Sequence, residues 1–418
     1  MKRLRHILAA TFLLLGLVYL FTQHDLISIS AEPVPLHTSI LTNAEQTHDF
    51  SKQESSHLTG VLTEGGLLQD VPASGIPAVV PVPNEISTPA TESSGEAPPS
   101  LIDFDFQKDL SLDLPVDIFN NLRLYAAHNH DTNVPESYAY ATFFASHNPS
   151  IEDPYYLAIH SLIYRILWSP RSKTSKYPFV VFVAEFVPQE QRDLLAGAGA
   201  IVRELAPLPW NPTEPGVQDR WKDLFAKLNM WNEVLFSRIL FLDADAFPIA
   251  NIDDMFELKE LRSCIESKMQ LDDFLPGGDP VCEPYIFAGV PTDRHSIFDA
   301  NINVGSMVFT PNARQHQRLL QNYLKFDKYD VKMAEQAFLN WQFGINSAYP
   351  PDMLGREYGA FFPGEKGEMG MKVVHEKIWA AHSGYWKDEW DNTWKEMLQF
   401  YRSEEFSAAR RGDGAIMV

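Results

Sequence analysis

The sequence predicts an α/β fold: a Rossmann-like, mostly parallel central sheet flanked by helices. Short, continuously apolar runs recur through the body of the chain, and longer amphipathic stretches separate them. A strand that is apolar at every position is buried on both faces, as in a parallel sheet covered by helices. With 418 residues, 45% of them apolar, the chain is long enough to bury one large core or two modest ones.

Residues 138–145 read as a buried strand, and 154–168, with Leu157, Ile159, Leu162, Ile163 and Ile166, as a helix. Residues 179–187 form the second buried strand. Pro188 suits the start of the next helix, where a missing N–H costs nothing. Residues 200–205 are the third strand, 221–236 a second long helix, and 238–242 the fourth strand. The stretch 264–299, broken by Pro and Gly, reads as a long insertion and a candidate acceptor-binding lid. Trp379, Trp386, Trp390 and Trp394 read as packing between C-terminal helices rather than a sugar platform. The body spans 113–406, and 407–418 read as a disordered tail.

The N-terminus is organised differently. Lys2, Arg3 and Arg5 precede an apolar run from Ile7 to Phe21. As a helix it would span about 23 Å, short against a hydrocarbon core of roughly 30 Å. Small residues for a cleavage site are supplied only loosely around 27–31, so 7–23 reads as an uncleaved signal anchor. The basic residues hold 1–6 in the cytosol and direct the rest to the lumen. Residues 24–112 are rich in Pro, Ser and Thr, too poor in apolar surface to fold, and read as a flexible stem.

The formal net charge of −21 argues against a nucleic-acid-binding surface, which needs a basic face. Two cysteines, Cys264 and Cys282, rule out a disulfide-built scaffold; one bridge or two free thiols fit equally.

The chemistry gathers where the fourth strand ends, at Asp243-Ala-Asp245. Two carboxylates just past the carboxyl end of a buried parallel strand face the crevice where open α/β sheets bind ligands. Like charges placed there need a cation, and carboxylate oxygens suit Mg²⁺ or Mn²⁺. Asp103-Phe-Asp105 has the same spacing but no apolar strand before it, and reads as solvated surface.

Lys227-Leu-Asn-Met-Trp231, Arg238-Ile-Leu-Phe-Leu-Asp-Ala-Asp245, Asn251-Ile-Asp-Asp-Met-Phe256, Asn303-Val-Gly-Ser-Met-Val-Phe309 and Glu335-Gln-Ala-Phe-Leu-Asn340 follow one another in this order. Lys372-Val-Val-His375, then Gly384 and Lys387, complete the series. Together they resemble glycosyltransferase family 8, which includes glycogenin and galactinol synthase. The resemblance covers 138–390 and implies a GT-A type nucleotide-diphospho-sugar transferase fold. It implies Mn²⁺ (or Mg²⁺) and a UDP-sugar donor, with retention of anomeric configuration. With the anchor, it implies a hexosyl or N-acetylhexosaminyl transferase of the Golgi or endoplasmic reticulum membrane, acting on a glycan or glycoprotein acceptor. The alternative is an inactive nucleotide-sugar-binding relative or a secreted interaction protein.

By the same resemblance Asp243, Asp245 and His375 would ligate the metal. Lys227 and Lys387 would bind the donor phosphates, with Gly384 permitting close backbone approach. Asn303 and Gln336 would bond the sugar, Glu335 would lie beside the anomeric centre, and Phe143, Ala145 and Ser146 would line the uracil and ribose pocket. Two departures stand out. Residues appear inserted before Gly384, which makes His382 a rival to His375, and Glu335 stands where the family usually has Asp.

Overall fold

The computed structural model describes residues 105–131, 137–292, 301–361, 363, 364, 367 and 370–416. The anchor 7–23 and nearly all of the stem lie outside the described residues. Among the described residues no helix is long and apolar enough to cross a membrane.

Among the described residues ten strands make two sheets. The strands of the large one are β1 (Ser137–Phe144), β2 (Phe179–Val183), β3 (Ile201–Glu204), β4 (Phe236–Leu242), β6 (Phe287–Pro291), β7 (Ile302–Phe309) and β8 (Asp352–Met353), in the order β3-β2-β1-β4-β7-β6-β8. Parallel pairing joins β3, β2, β1 and β4, and again β6 and β8; β7 runs antiparallel to both neighbours. The sheet is therefore mostly parallel, as expected. The inner strands are apolar throughout because both faces are covered: every residue of β2 is buried, and β1 is buried from Ala139 to Phe144.

The flanking α-helices are α1 (Val116–Leu122), α2 (Pro154–Ile163), α3 (Gln189–Gly197), α4 (Ala313–Asn322), α5 (Ala334–Gln342), α6 (Tyr385–Tyr401) and α7 (Glu404–Gly412). Asp153 caps α2 by accepting from the Tyr156 N–H at 2.8 Å, and Asn312 caps α4 likewise. Gly197 on α3 lets α1 approach closely, since a Cβ there would overlap the Phe119 carbonyl.

A small sheet of β5 (Ala246–Pro248), β10 (Val373–His375) and β9 (Ala360–Phe361) stands beside the end of β4. Arg165, fully buried, ties it to the helices. Its guanidinium donates to the Pro248 carbonyl (3.1 Å), Glu389 (2.8 Å) and Thr393 (3.0 Å), joining β5 to α6. Trp390 and Trp394 stack within the core beside Phe247, so the packing reading of these tryptophans holds.

Several expectations change. Residues 221–236 are not an α-helix: Asp223–Asn232 is a 3-10 segment that buries Phe225, Leu228, Met230 and Trp231. Residues 407–412, expected as disordered tail, belong to α7, where Phe406 and Arg410 are buried and Arg410 donates to the Gly197 and Ala126 carbonyls. The body also starts before 113: Leu110 and Leu112 pack against the core, and the Leu110 N–H donates to the Glu152 carbonyl at 2.9 Å. Cys264 and Cys282 form a disulfide. It closes a loop that packs on α4 through Asp273–Arg318 (2.8 Å) and on the turn after it through Asp272–Lys325 (2.6 Å).

His160 on α2 is fully buried between Phe119 and Tyr156, and neither ring nitrogen has a partner. Burial disfavours the imidazolium and pushes its pKa from 6.5 down to about 3. Between those values the unfolded chain binds a proton that the folded chain refuses, so stability falls as pH drops below 6.5. The loss is at most about 1.4 kcal/mol per pH unit. In His160→Phe the decline between pH 7 and pH 4.5 should be smaller by about 2–3 kcal/mol in urea unfolding. Parallel pH profiles for the two proteins would refute this account of His160.

Candidate active site

β4 delivers Asp243 and Asp245 to the edge of the sheet, and the chain turns at once into β5, with the Ala246 N–H bonded to the Asp243 carbonyl at 2.9 Å. β5 pairs antiparallel with β10, which sets His375 opposite Ala246. The imidazole Nε2 thereby lies 3.3 Å from Asp245 Oδ1 and 4.0 Å from Asp243 Oδ2. One ligand atom from each of Asp243, Asp245 and His375 lies within 4.8 Å of the others, a set suited to hold a metal ion. His382 is exposed and is not part of this group. β7 completes the cradle. The Asp243 N–H donates to the Gly305 carbonyl at 2.8 Å, and a Cβ at Gly305 would overlap the Asp243 carboxylate and lie 2.9 Å from His375 Nε2. Two acids and an imidazole around space that one methyl group would fill are a fitting donor set for Mn²⁺ or Mg²⁺.

Beside this group lies a cavity of about 710 Å³, within the range of small-ligand sites. Phe143, Ala145 and Ser146 line it from the end of β1, and Lys227, Asp243, Asp245 and Glu335 from the other elements. Lys227 is buried and bridges Asp243 Oδ1 and Glu335 Oε1, each at 2.9 Å. Burial alone would lower the Lys227 pKa, but the two carboxylates outweigh it and hold the ammonium well above its ordinary value. Burial likewise opposes ionisation of Asp245, yet His375 and then Lys377 hold it well below the usual carboxylate range. His375 is raised: burial works against the imidazolium, and the two aspartates favour it more strongly.

The remaining expected residues lie elsewhere. Lys387 pairs with Asp391 on α6 at 2.6 Å and does not line the cavity. Gly384 takes φ +90° to enter α6, and a Cβ there would meet no protein atom within 4 Å. Asn303 accepts from the Gly305 N–H (2.9 Å), and Gln336 accepts from the Val304 N–H (3.3 Å). Their carbonyl oxygens brace β7 behind the site instead of entering the cavity. No described residue of the 264–292 insertion lines the cavity either.

Sequence reasoning missed Lys377, whose Nζ is 2.5 Å from Asp245 Oδ2 at the cavity wall. In sequence it stands only two residues beyond His375, and the turn after β10 brings it back to Asp245. It also missed Arg220 and Tyr155 on the wall, which are bonded to each other at 3.4 Å.

No family model matches the chain. It is 25% identical over 307 residues to an uncharacterized protein of Schizosaccharomyces pombe, covering 65% of this chain and 82% of that one. It is 28% identical over 235 residues to galactinol synthase 7 of Arabidopsis thaliana (52% of this chain, 64% of that one). It is 33% identical over 176 residues to galactinol synthase 1 of Solanum lycopersicum (40% of this chain, 51% of that one). The chain thus spans about half to two thirds of these galactinol synthases. Among solved structures, the glycosyltransferase GlyE of Streptococcus pneumoniae TIGR4 aligns with a TM-score of 0.39 and 16% identity, over 65% of each chain. Mouse xyloside xylosyltransferase 1 aligns with a TM-score of 0.37 and 12% identity, over 58% of this chain and 98% of that one. The sequence likeness to galactinol synthases supports a glycosyltransferase family for this chain.

The Gly305 cradle is directly testable. Gly305→Ala should drive Asp243 and His375 apart and weaken Mn²⁺ binding by about ten- to hundredfold, measured by calorimetry. Mn²⁺ affinity equal to that of the wild type would show that the three groups do not form one metal site.

Proposed function

We propose that this protein is a metal-dependent, retaining glycosyltransferase that moves a hexosyl or N-acetylhexosaminyl unit from a UDP-sugar to a glycan or protein acceptor. One observation carries the reading: Asp243, Asp245 and His375 converge at the edge of a cavity whose walls also present Lys227, Lys377 and Glu335. Mn²⁺ bound by the three groups would neutralise charge on a leaving nucleoside diphosphate. Lys377 takes the phosphate-binding place first expected of Lys387, because only Lys377 reaches the cavity. Lys227 holds Glu335 in place, and the Glu335 carboxylate stabilises positive charge at the anomeric carbon as its bond to the diphosphate oxygen breaks and an acceptor hydroxyl attacks from the same face, its proton passing to the departing phosphate. Phe143, Ala145 and Ser146 offer the wall for the base and ribose.

The setting we propose is the lumen of the Golgi or endoplasmic reticulum, with the chain held by its N-terminal anchor. Two features support it. The Cys264–Cys282 disulfide suits an oxidising compartment. The basic and apolar N-terminal sequence suits a single-pass orientation with the body in the lumen.

The test is hydrolysis and transfer by the full chain against UDP-glucose, UDP-galactose and UDP-N-acetylglucosamine, with Mn²⁺ and with EDTA. One donor should be consumed with Mn²⁺ only, and Asp245→Ala should lower the rate by about hundredfold or more. Lys377→Ala should cost about tenfold or more, while Lys387→Ala stays within about twofold of the wild type. Turnover of no donor, with no rise in melting temperature from any of them, would defeat the transferase reading and favour an interaction protein.

A further inference from the structure

The segment just before the first helix crosses the cavity. The Trp379 indole N–H donates to the Phe106 carbonyl at 3.0 Å, which fixes one end beside Lys377 and the metal-binding side. Asp109 accepts from the Asn148 side chain at 2.7 Å, and the Leu110 N–H reaches the Glu152 carbonyl at 2.9 Å, which fixes the other end at the loop after β1. Between these anchors Gln107 and Lys108 line the cavity.

The Phe106 ring gathers charge. Lys377 Nζ lies 5.4 Å from its centroid and the Arg220 guanidinium 6.0 Å, so one ring steadies two cations of the cavity wall. With Lys108, three cationic side chains then face the same space. Lys377 is already shared with Asp245, so a diphosphate entering beside the neighbouring donor set would meet Lys377, Arg220 and Lys108 together along one wall.

We propose that residues 106–109 are a strap that forms part of the nucleotide site, in which Lys108 contacts the diphosphate and Phe106 positions Arg220 and Lys377 toward it. This rests on reading the cavity as a nucleotide-sugar site. It gives the segment beside the stem a binding task, where sequence composition assigns it only a tether.

The test is calorimetric binding of UDP in the presence of Mn²⁺ to the full chain and to Phe106→Ala, Phe106→Tyr, Lys108→Ala and the surface control Lys332→Ala, with melting temperatures recorded. Phe106→Ala and Lys108→Ala should each weaken UDP by about fivefold or more with little change in melting temperature. Phe106→Tyr, which keeps the ring, and Lys332→Ala should stay within about twofold of the wild type. If the wild type binds UDP and both alanine variants bind it equally well, the strap proposal fails alone. If the affinity loss follows the melting temperature and Phe106→Tyr does not restore it, the segment is only structural and the proposal fails. A wild type that binds no UDP with Mn²⁺ overturns the nucleotide reading, and this proposal with it.

Discussion

Two carboxylates one residue apart, at the point where a buried strand surfaces, cannot remain ionised without positive charge close by, and that requirement organises the surrounding chain. Lys227 comes from the 3-10 segment before β4, His375 from the small sheet and Lys377 from the turn that follows it. Lys227 is buried and His375 and Lys377 partly so, and each pairs with the acids although desolvation opposes its charge. Elements distant in sequence are thus brought to the carboxyl end of the sheet, where parallel strands leave their crevice.

Placement then depends on backbone geometry more than on the side chains themselves. His375 can face the acids because β10 pairs with β5, and β5 is the immediate continuation of Asp245. β5 is in turn fixed by Arg165, whose bonds reach the Pro248 carbonyl and α6. On the opposite side β7 comes close enough to bond the Asp243 N–H only because position 305 carries no side chain. Asn303, Gln336 and Asn340 hold that strand in register through backbone bonds at Gly305, Val304 and Ile302. These polar residues stand near the chemistry because they build its floor.

The parts legible in the sequence are those with a one-dimensional signature. Buried parallel strands show as unbroken apolar runs, so β1, β2 and β4 were readable to within a few residues, and the acid pair at the end of β4 stood out by its apolar approach. His375 was readable through the apolar lead-in that became β10. What was not legible depended on partners far along the chain. Lys377 and Lys387 look alike in sequence, and only the β5–β10 pairing shows that one reaches Asp245 while the other is held by Asp391. Residues 407–412 resemble a polar tail because the burial of Arg410 rests on carbonyls of the α1–β1 region and of α3. Residues 106–112 share the stem's polarity, and Leu110 and Leu112 gain an apolar surface only from a body that begins later in the chain.

The charge balance of the cavity links the metal-binding groups to the strap. The carboxylates of Asp243, Asp245 and Glu335 face the ammonium groups of Lys227 and Lys377, and with Asp153, Lys108 and Arg220 the lining holds as many acids as Lys and Arg side chains. Lys377 holds Oδ2 of Asp245, while Oδ1 faces His375. An ion entering alone would leave the wall with an excess of positive charge, with Arg220 and Lys108 close by. An ion entering with a diphosphate brings the negative charge that offsets this excess. On the proposed reading, metal and donor are therefore better bound together than separately, and the cations around Phe106 are the part of the cavity that couples them.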